Sequence, residues 1–114
     1  MKYLILPLLF VFSNSISAQE QVITDDYIEI IFNKETSLQD IVEIQSQMKE
    51  RNIDLVFNSL VFIEEKLTSI SFNVDCNDGY EGSASDSKLT MLPIGFYRNY
   101  KEGAASTFGT GYNN

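Results

Sequence analysis

The stretch TSLQDIVEIQSQMKERNIDLVF, Thr36 to Phe57, constrains this chain most, because it fits a capped amphipathic helix running straight into a strand. Thr36 and Ser37 are both good N-cap residue types. Gln39 and Asp40 fall three positions after them, where a side chain can reach back and close a capping box. Asp40 and Glu43 come early and Lys49 and Arg51 late, which complements the helix dipole at both ends. At about 100° per residue, Leu38, Ile41, Val42, Ile44 and Met48 gather into an arc of roughly 160°, while Glu43, Ser46, Gln47 and Glu50 take the other side. One face therefore belongs to a core. Gln45 falls inside the apolar arc, so either its amide has a partner there or the helix is rotated slightly from this placement. Asn52 suits the left-handed residue that often ends a helix.

The flanking segments alternate with period two. In YIEIIF, Ile28, Ile30 and Phe32 share one face and Tyr27 and Glu29 the other. After the helix, Ile53, Leu55 and Phe57 point inward, with Asp54 and Asn58 outward. Alternation fails at Leu60 to Ile63, LVFI, so that segment is covered on both faces, contains a bulge, or exposes a patch. Glu64 to Lys66 forms a polar turn. The cleanest strand follows, with Ile70, Phe72, Val74 and Cys76 on one side and Ser69, Ser71, Asn73 and Asp75 on the other. Asn77, Asp78 and Gly79 tolerate the positive φ of a hairpin turn, and a strand returns from Tyr80 to Ser85. Leu89 to Tyr100 reads as a closing strand, confined near Pro93 to an edge or a bend because proline cannot donate to a ladder. The expected architecture is α+β, in β-α-β-β-β order: one mostly antiparallel sheet of four to five strands with a single helix packed on one face.

Residues 1–18 have the form of an export signal: Lys2, the apolar run LILPLLFVF, then the small polar stretch SNSISA. The apolar run is shorter than the roughly 20 residues a membrane span needs. Cleavage after Ala18 leaves residues 19–100 as a small α+β domain, with a loose lead-in over 19–26, and 101–114 as a flexible tail rich in Gly, Ser and Thr. The expected product is soluble, periplasmic or secreted, with no stable membrane span once the signal is removed. No cysteine follows the apolar run closely, which argues against a lipid anchor.

The chain has 8 basic and 16 acidic residues, a formal charge of −8. That balance opposes nucleic acid and anionic lipid as partners, since affinity for either comes largely from neutralising negative charge. Cys76 is the only cysteine, so no intramolecular disulfide staples the domain; a lone exported cysteine could pair with another chain, but its apolar neighbours on alternate positions favour a buried, inert thiol. The absence of histidine removes Ser-His-Asp and Cys-His constellations and histidine-based zinc sites. DCNDGYE, from Asp75, misses the calcium-loop register: Gly79 falls fifth rather than sixth, and Asp86 rather than glutamate falls twelfth. Two carboxylates could cleave a glycoside, but the adjacent acid pairs Asp25–Asp26 and Glu64–Glu65 lie in loops. The expectation is a protein with no catalytic residues, no metal site and no cofactor.

The pattern IEIIFNKETSLQDIVEIQSQMKERNIDLVFNSLVF, followed by ISFNVDCNDGYEGSAS, resembles the periplasmic C-terminal domain of beta-lactam-sensor-type membrane metallopeptidases of Gram-negative bacteria. In those domains a strand ending in an Asn-Lys-x-Thr-like turn leads to a helix, then a strand reading like IDLVF, then a hairpin with a Gly-Ser-rich return strand. Asn33, Lys34, Thr36, Ile53 to Phe57, Gly79, Gly82 and Ser83 carry the likeness. Such peptidases bind zinc through a His-Glu-x-x-His helix, which this chain lacks. The resemblance thus implies a freestanding accessory or sensory-type domain.

Two surfaces stand out for binding an envelope protein or a polar ligand. The first is the sheet face opposite the helix, carrying Ser69, Ser71, Asn73, Ser83 and Ser85. The second is the apolar run Leu60, Val61, Phe62 and Ile63 with the edge near Pro93. An alternative function is a secreted peptidase-associated or inhibitor domain that pairs a sheet edge with an extended peptide.

Overall fold

The computed structural model describes residues 20–89 and 92–112. The expected signal segment lies outside the described residues. Among the described residues, seven strands and one helix follow in order: β1 (Glu20–Ile23), β2 (Tyr27–Phe32), α1 (Leu38–Glu50), β3 (Asp54–Ile63), β4 (Lys66–Asp75), β5 (Glu81–Asp86), β6 (Ile94–Asn99) and β7 (Phe108–Tyr112). The class is α+β with antiparallel pairing, as the periodicity predicts. The strands form two sheets rather than one, however: β1-β2-β6-β7 and β3-β4-β5.

The helix begins as its sequence dictates. Ser37 is the N-cap; its hydroxyl accepts from the Asp40 N–H, and an Asp40 carboxylate oxygen accepts from the Ser37 N–H, each at 3.0 Å. Thr36 is instead fully buried, its Oγ1 accepting from the Asn33 N–H at 3.0 Å. Asn52 ends the helix with φ 63°, in the left-handed region. Ile41, Ile44 and Met48 face the core, whereas Leu38 and Val42 are 58% and 56% exposed, so the buried arc is narrower than the composition of the face suggests. Gln45 has its partner: Nε2 donates to the Leu55 carbonyl at 2.7 Å, tying the helix flank to β3.

The core lies between the two sheets, with α1 along one side. Ile28, Ile30 and Phe32 of β2 and Ile94 and Phe96 of β6 meet Ile70, Phe72 and Val74 of β4 within one cluster of buried side chains. Phe72 is at its centre, with ring centroids 5.5 Å from Phe32, 6.1 Å from Phe96 and 6.4 Å from half-buried Phe57. Burying an aromatic or a large aliphatic of this kind contributes about 1.5–3 kcal/mol.

Three segments differ from the sequence expectation. Residues 20–23 are strand β1, which pairs with β2 from Glu20↔Ile31 to Ile23↔Ile28, rather than lead-in. Residues 108–112, within the expected flexible tail, are strand β7, paired with β6 from Ile94↔Tyr112 to Arg98↔Phe108. β6 starts directly after Pro93 and is a central strand, not an edge, because proline precedes the ladder instead of interrupting it. Both added strands owe their conformation to a neighbouring ladder.

The LVFI segment is bulged. The β3–β4 register shifts between Phe57 and Ser59 and again between Val61 and Phe62. Val61 and Ile63 consequently face solvent at 42% and 58% exposure, while Leu60 and Phe62 pack against the core.

Candidate functional site

The three-stranded sheet turns one face to the core and the other to solvent. Along β4, Ile70, Phe72 and Val74 are buried, so Ser69, Ser71, Asn73 and Asp75 between them face out. The register carries this parity to both neighbours. Val61 lies opposite Ser69; Ser59, Ser71 and Ser85 form a second row; Val56, Asn73 and Ser83 a third; Asp54, Asp75 and Glu81 a fourth. All five hydroxyl and amide residues singled out from the sequence, Ser69, Ser71, Asn73, Ser83 and Ser85, thus share one surface. Of the apolar trio, Val61 alone joins them; Leu60 and Phe62 point to the other side.

The face is graded in polarity, from Val61 and Ile63 near the hairpin tip, through the hydroxyls, to carboxylates at the far end. A cavity of about 500 Å³ opens at that acidic end, over Asp54, Val56, Asn73, Asp75, Glu81 and Ser83. Like charges in direct cross-strand register repel one another, and neighbouring groups relieve part of that cost. Asn77 Nδ2 donates to Asp54 at 3.2 Å and Lys49 Nζ pairs with it at 3.3 Å; these two contacts, the Asn77 bond first, hold the Asp54 carboxyl below its ordinary range. Among the described residues, no three Asp, Glu or Cys side chains are grouped closely enough to hold a metal ion.

The end of the face is braced by the Asn77–Gly79 turn. Asn77 and Gly79 have φ 59° and 101° there, as hairpin-turn chemistry requires. Asn77 Nδ2 also reaches the Asn52 carbonyl at 2.8 Å, joining this turn to the end of the helix. Cys76 is 5% exposed and unpaired by any disulfide; burial, followed by the nearby Asp78 carboxylate, pushes its thiol up to about 11. At neutral pH it is therefore a thiol and a weak nucleophile.

Arg98 is a buried charge that alternation could have located but that received no role from the sequence. It follows Ile94 and Phe96 on the inward parity of β6 and is 8% exposed. Its Nη2 and Nε donate to Asp78 Oδ2 at 2.7 and 3.1 Å, and its Nη1 donates to the Asn99 carbonyl at 2.7 Å. The guanidinium carbon lies 4.5 Å from the Tyr80 ring centroid and 4.3 Å from that of Tyr100. Held by Asp78 and by backbone carbonyls, Arg98 joins the sheets rather than offering a free charge.

A smaller cavity, about 280 Å³, lies over β2, β6 and β7, with Gly95, Gly109 and Gly111 beside Tyr97 and Tyr112. Among the described residues no helix is long and apolar enough to cross a membrane. No family model matches the chain, and no curated protein or solved structure matches it either.

Proposed function

We propose that the protein is an exported, non-enzymatic binding module of the cell envelope that engages a polar ligand or a partner's polar surface through the outer face of β3-β4-β5. The observation that carries this is the collection of Ser69, Ser71, Asn73, Ser83 and Ser85 on one exposed sheet face, next to a cavity edged by carboxylates. Short hydroxyls and amides donate and accept hydrogen bonds with few rotamers to freeze, so such a face binds at low entropic cost. The form of residues 1–18 supports export, and the likeness to a peptidase accessory domain without its zinc helix supports a role other than catalysis.

Photocrosslinking in intact envelopes tests it. A photoreactive residue replacing Ser71 or Ser83 should give a discrete adduct, and one replacing helix-surface Gln47 should not, with or without EDTA. Adducts from position 47 alone, or none from either face position, would overturn the proposal.

A further inference from the structure

We propose that the depression on the outside of β1-β2-β6-β7 binds a small organic cation, a primary ammonium on a compact apolar body, with Glu29 as its anionic partner. This site lies on the other sheet from the polar face above, and the inference stands without that reading.

Alternation places the residues that make the depression. Ile28 and Ile30 on β2 and Ile94 and Phe96 on β6 are buried in the core, so Glu29, Ile31, Gly95 and Tyr97 turn to the other side of the sheet. The register joins them into rows with β7: Glu29, Tyr97 and Gly109, then Ile31, Gly95 and Gly111. The first row rises through Glu29 and Tyr97. The second has a side chain only at Ile31, which is 7% exposed and lies low. The surface therefore drops from one row to the next, and the cavity of about 280 Å³ opens over Glu29, Ile31, Gly95, Tyr97 and Gly111. Gly111 has φ 124°, and a Cβ there would find no atom within 4 Å, so the space above it is open.

The walls are fixed by contacts of their own. The Tyr97 ring rests on Gly109, its centroid lies 6.5 Å from that of Tyr27, and its hydroxyl bonds Ser106. The Tyr27 hydroxyl donates to Glu29 Oε1 at 3.3 Å, which orients the carboxylate and leaves Oε2 for a ligand. Burial, then the Glu29 charge, raises the Tyr27 hydroxyl above its ordinary range, so it remains a donor at neutral pH. A site held in this way loses little freedom when it is filled.

Charge and lining select the occupant. Glu29 is the one carboxylate at the cavity, no Lys or Arg lines it, and among the described residues none pairs with Glu29. A half-buried carboxylate without a counter-charge is costly, and an ammonium donating to Oε2 would offset that cost. Anions are repelled here and by the formal charge of −8. A sugar would find few partners, because Ile31 and the glycines carry no polar side-chain atoms. Ile31 and Tyr97 instead suit the apolar body of an amine. The volume lies just under the roughly 300–1,000 Å³ of drug-sized sites, so that body is compact. The ammonium can belong to a free amine or to a lysine side chain of another protein, and the two share this chemistry.

The test is a titration followed by backbone amide chemical shifts of the native chain. Benzylamine stands for the free amine and lysine capped at both termini for the side chain; benzyl alcohol and benzoate are the neutral and anionic controls. Saturable shifts centred on Gly95, Tyr97 and Gly111 are expected with at least one amine, and the stronger of the two identifies the source. Benzyl alcohol should bind at least about tenfold more weakly, and benzoate not at all. Glu29→Gln, which keeps the shape and removes the charge, should weaken amine binding about tenfold, while Ser71→Arg leaves it unchanged. No saturation with either amine by about 10 mM would overturn the inference. So would benzyl alcohol or benzoate binding as well as benzylamine, undiminished binding by a folded Glu29→Gln chain, or shifts centred on β3-β4-β5. The ligand comparison uses the native chain, so it decides the matter even if Glu29→Gln fails to fold.

Discussion

Breaking the Arg98–Asp78 pair should cost about 2 kcal/mol of stability. The pair spans the two sheets: Arg98 is on β6, and Asp78 is in the turn between β4 and β5. Removing one member of a fully buried pair costs about 3–5 kcal/mol, whereas exposed pairs contribute about 0–1. The side chains here are 10% and 33% exposed, an intermediate case in which water reaches Asp78 but hardly reaches Arg98. Asp78→Ala should therefore cost about 2 kcal/mol, because the guanidinium loses two hydrogen bonds and keeps its backbone partners. Arg98→Met should cost a similar amount, partly from lost contacts with Tyr80 and Tyr100 at about 0.5–1 kcal/mol each. With a urea slope of roughly 1–1.5 kcal/mol/M for a domain of this size, either variant lowers the midpoint by about 1–2 M. The double variant should cost less than the sum, by about 1 kcal/mol or more. Strict additivity would refute the reasoning, since it would mean that Arg98 acts through packing on the two rings and not through Asp78.

Two further outcomes follow from local geometry. Glu64 and Glu65 close the β3–β4 hairpin with φ 52° and 69°, conformations that favour Asn-Gly; Glu64→Asn with Glu65→Gly should add about 1 kcal/mol, read as a rise of about 4–8 °C in Tm. An unchanged or lower Tm would count against the turn geometry. The Cys76 thiol is raised to about 11 in the folded chain, so its stabilising contribution is complete below the unfolded-state value near 8.5 and is lost as pH rises towards 11. Urea midpoints between pH 8 and 11 should accordingly fall more steeply for the native chain than for Cys76→Ala, and parallel slopes would remove the thiol from the account.

The helix and β4 were legible because each is specified by several local signals at once. Ser37 and Asp40 close the cap, Ile41, Ile44 and Met48 keep the helical period, and the strict alternation of Ile70 to Val74 sets which side of β4 is buried. The same alternation placed all five polar candidates on one face. Leu38 and Val42 were read as core because the period gives the direction of a side chain and not whether anything covers it. Arg98 was accessible to the same reasoning: a charged residue sharing parity with Ile94 and Phe96 requires a buried partner, though nothing local identifies Asp78, twenty positions earlier, as that partner.

The second sheet was hidden because its outer strands are specified by their neighbours. Glycine-rich FGTGY has the composition of a flexible tail, yet the ring of Tyr97 occupies the space where a Gly109 side chain would be, with Cε1 2.6 Å from the Cβ position. The Tyr97 hydroxyl bonds Ser106 in the connection leading to β7. Gly95 allows equally close approach on the other flank, where a Cβ would stand 1.9 Å from the Ile30 carbonyl oxygen. Glycine in these strands makes room for an aromatic ring and for adjoining backbone, so its meaning depends on residues far away in sequence. The consequence reaches the three-stranded sheet. β7 brings Phe108 and Thr110 against β5, which covers that edge of the three-stranded sheet.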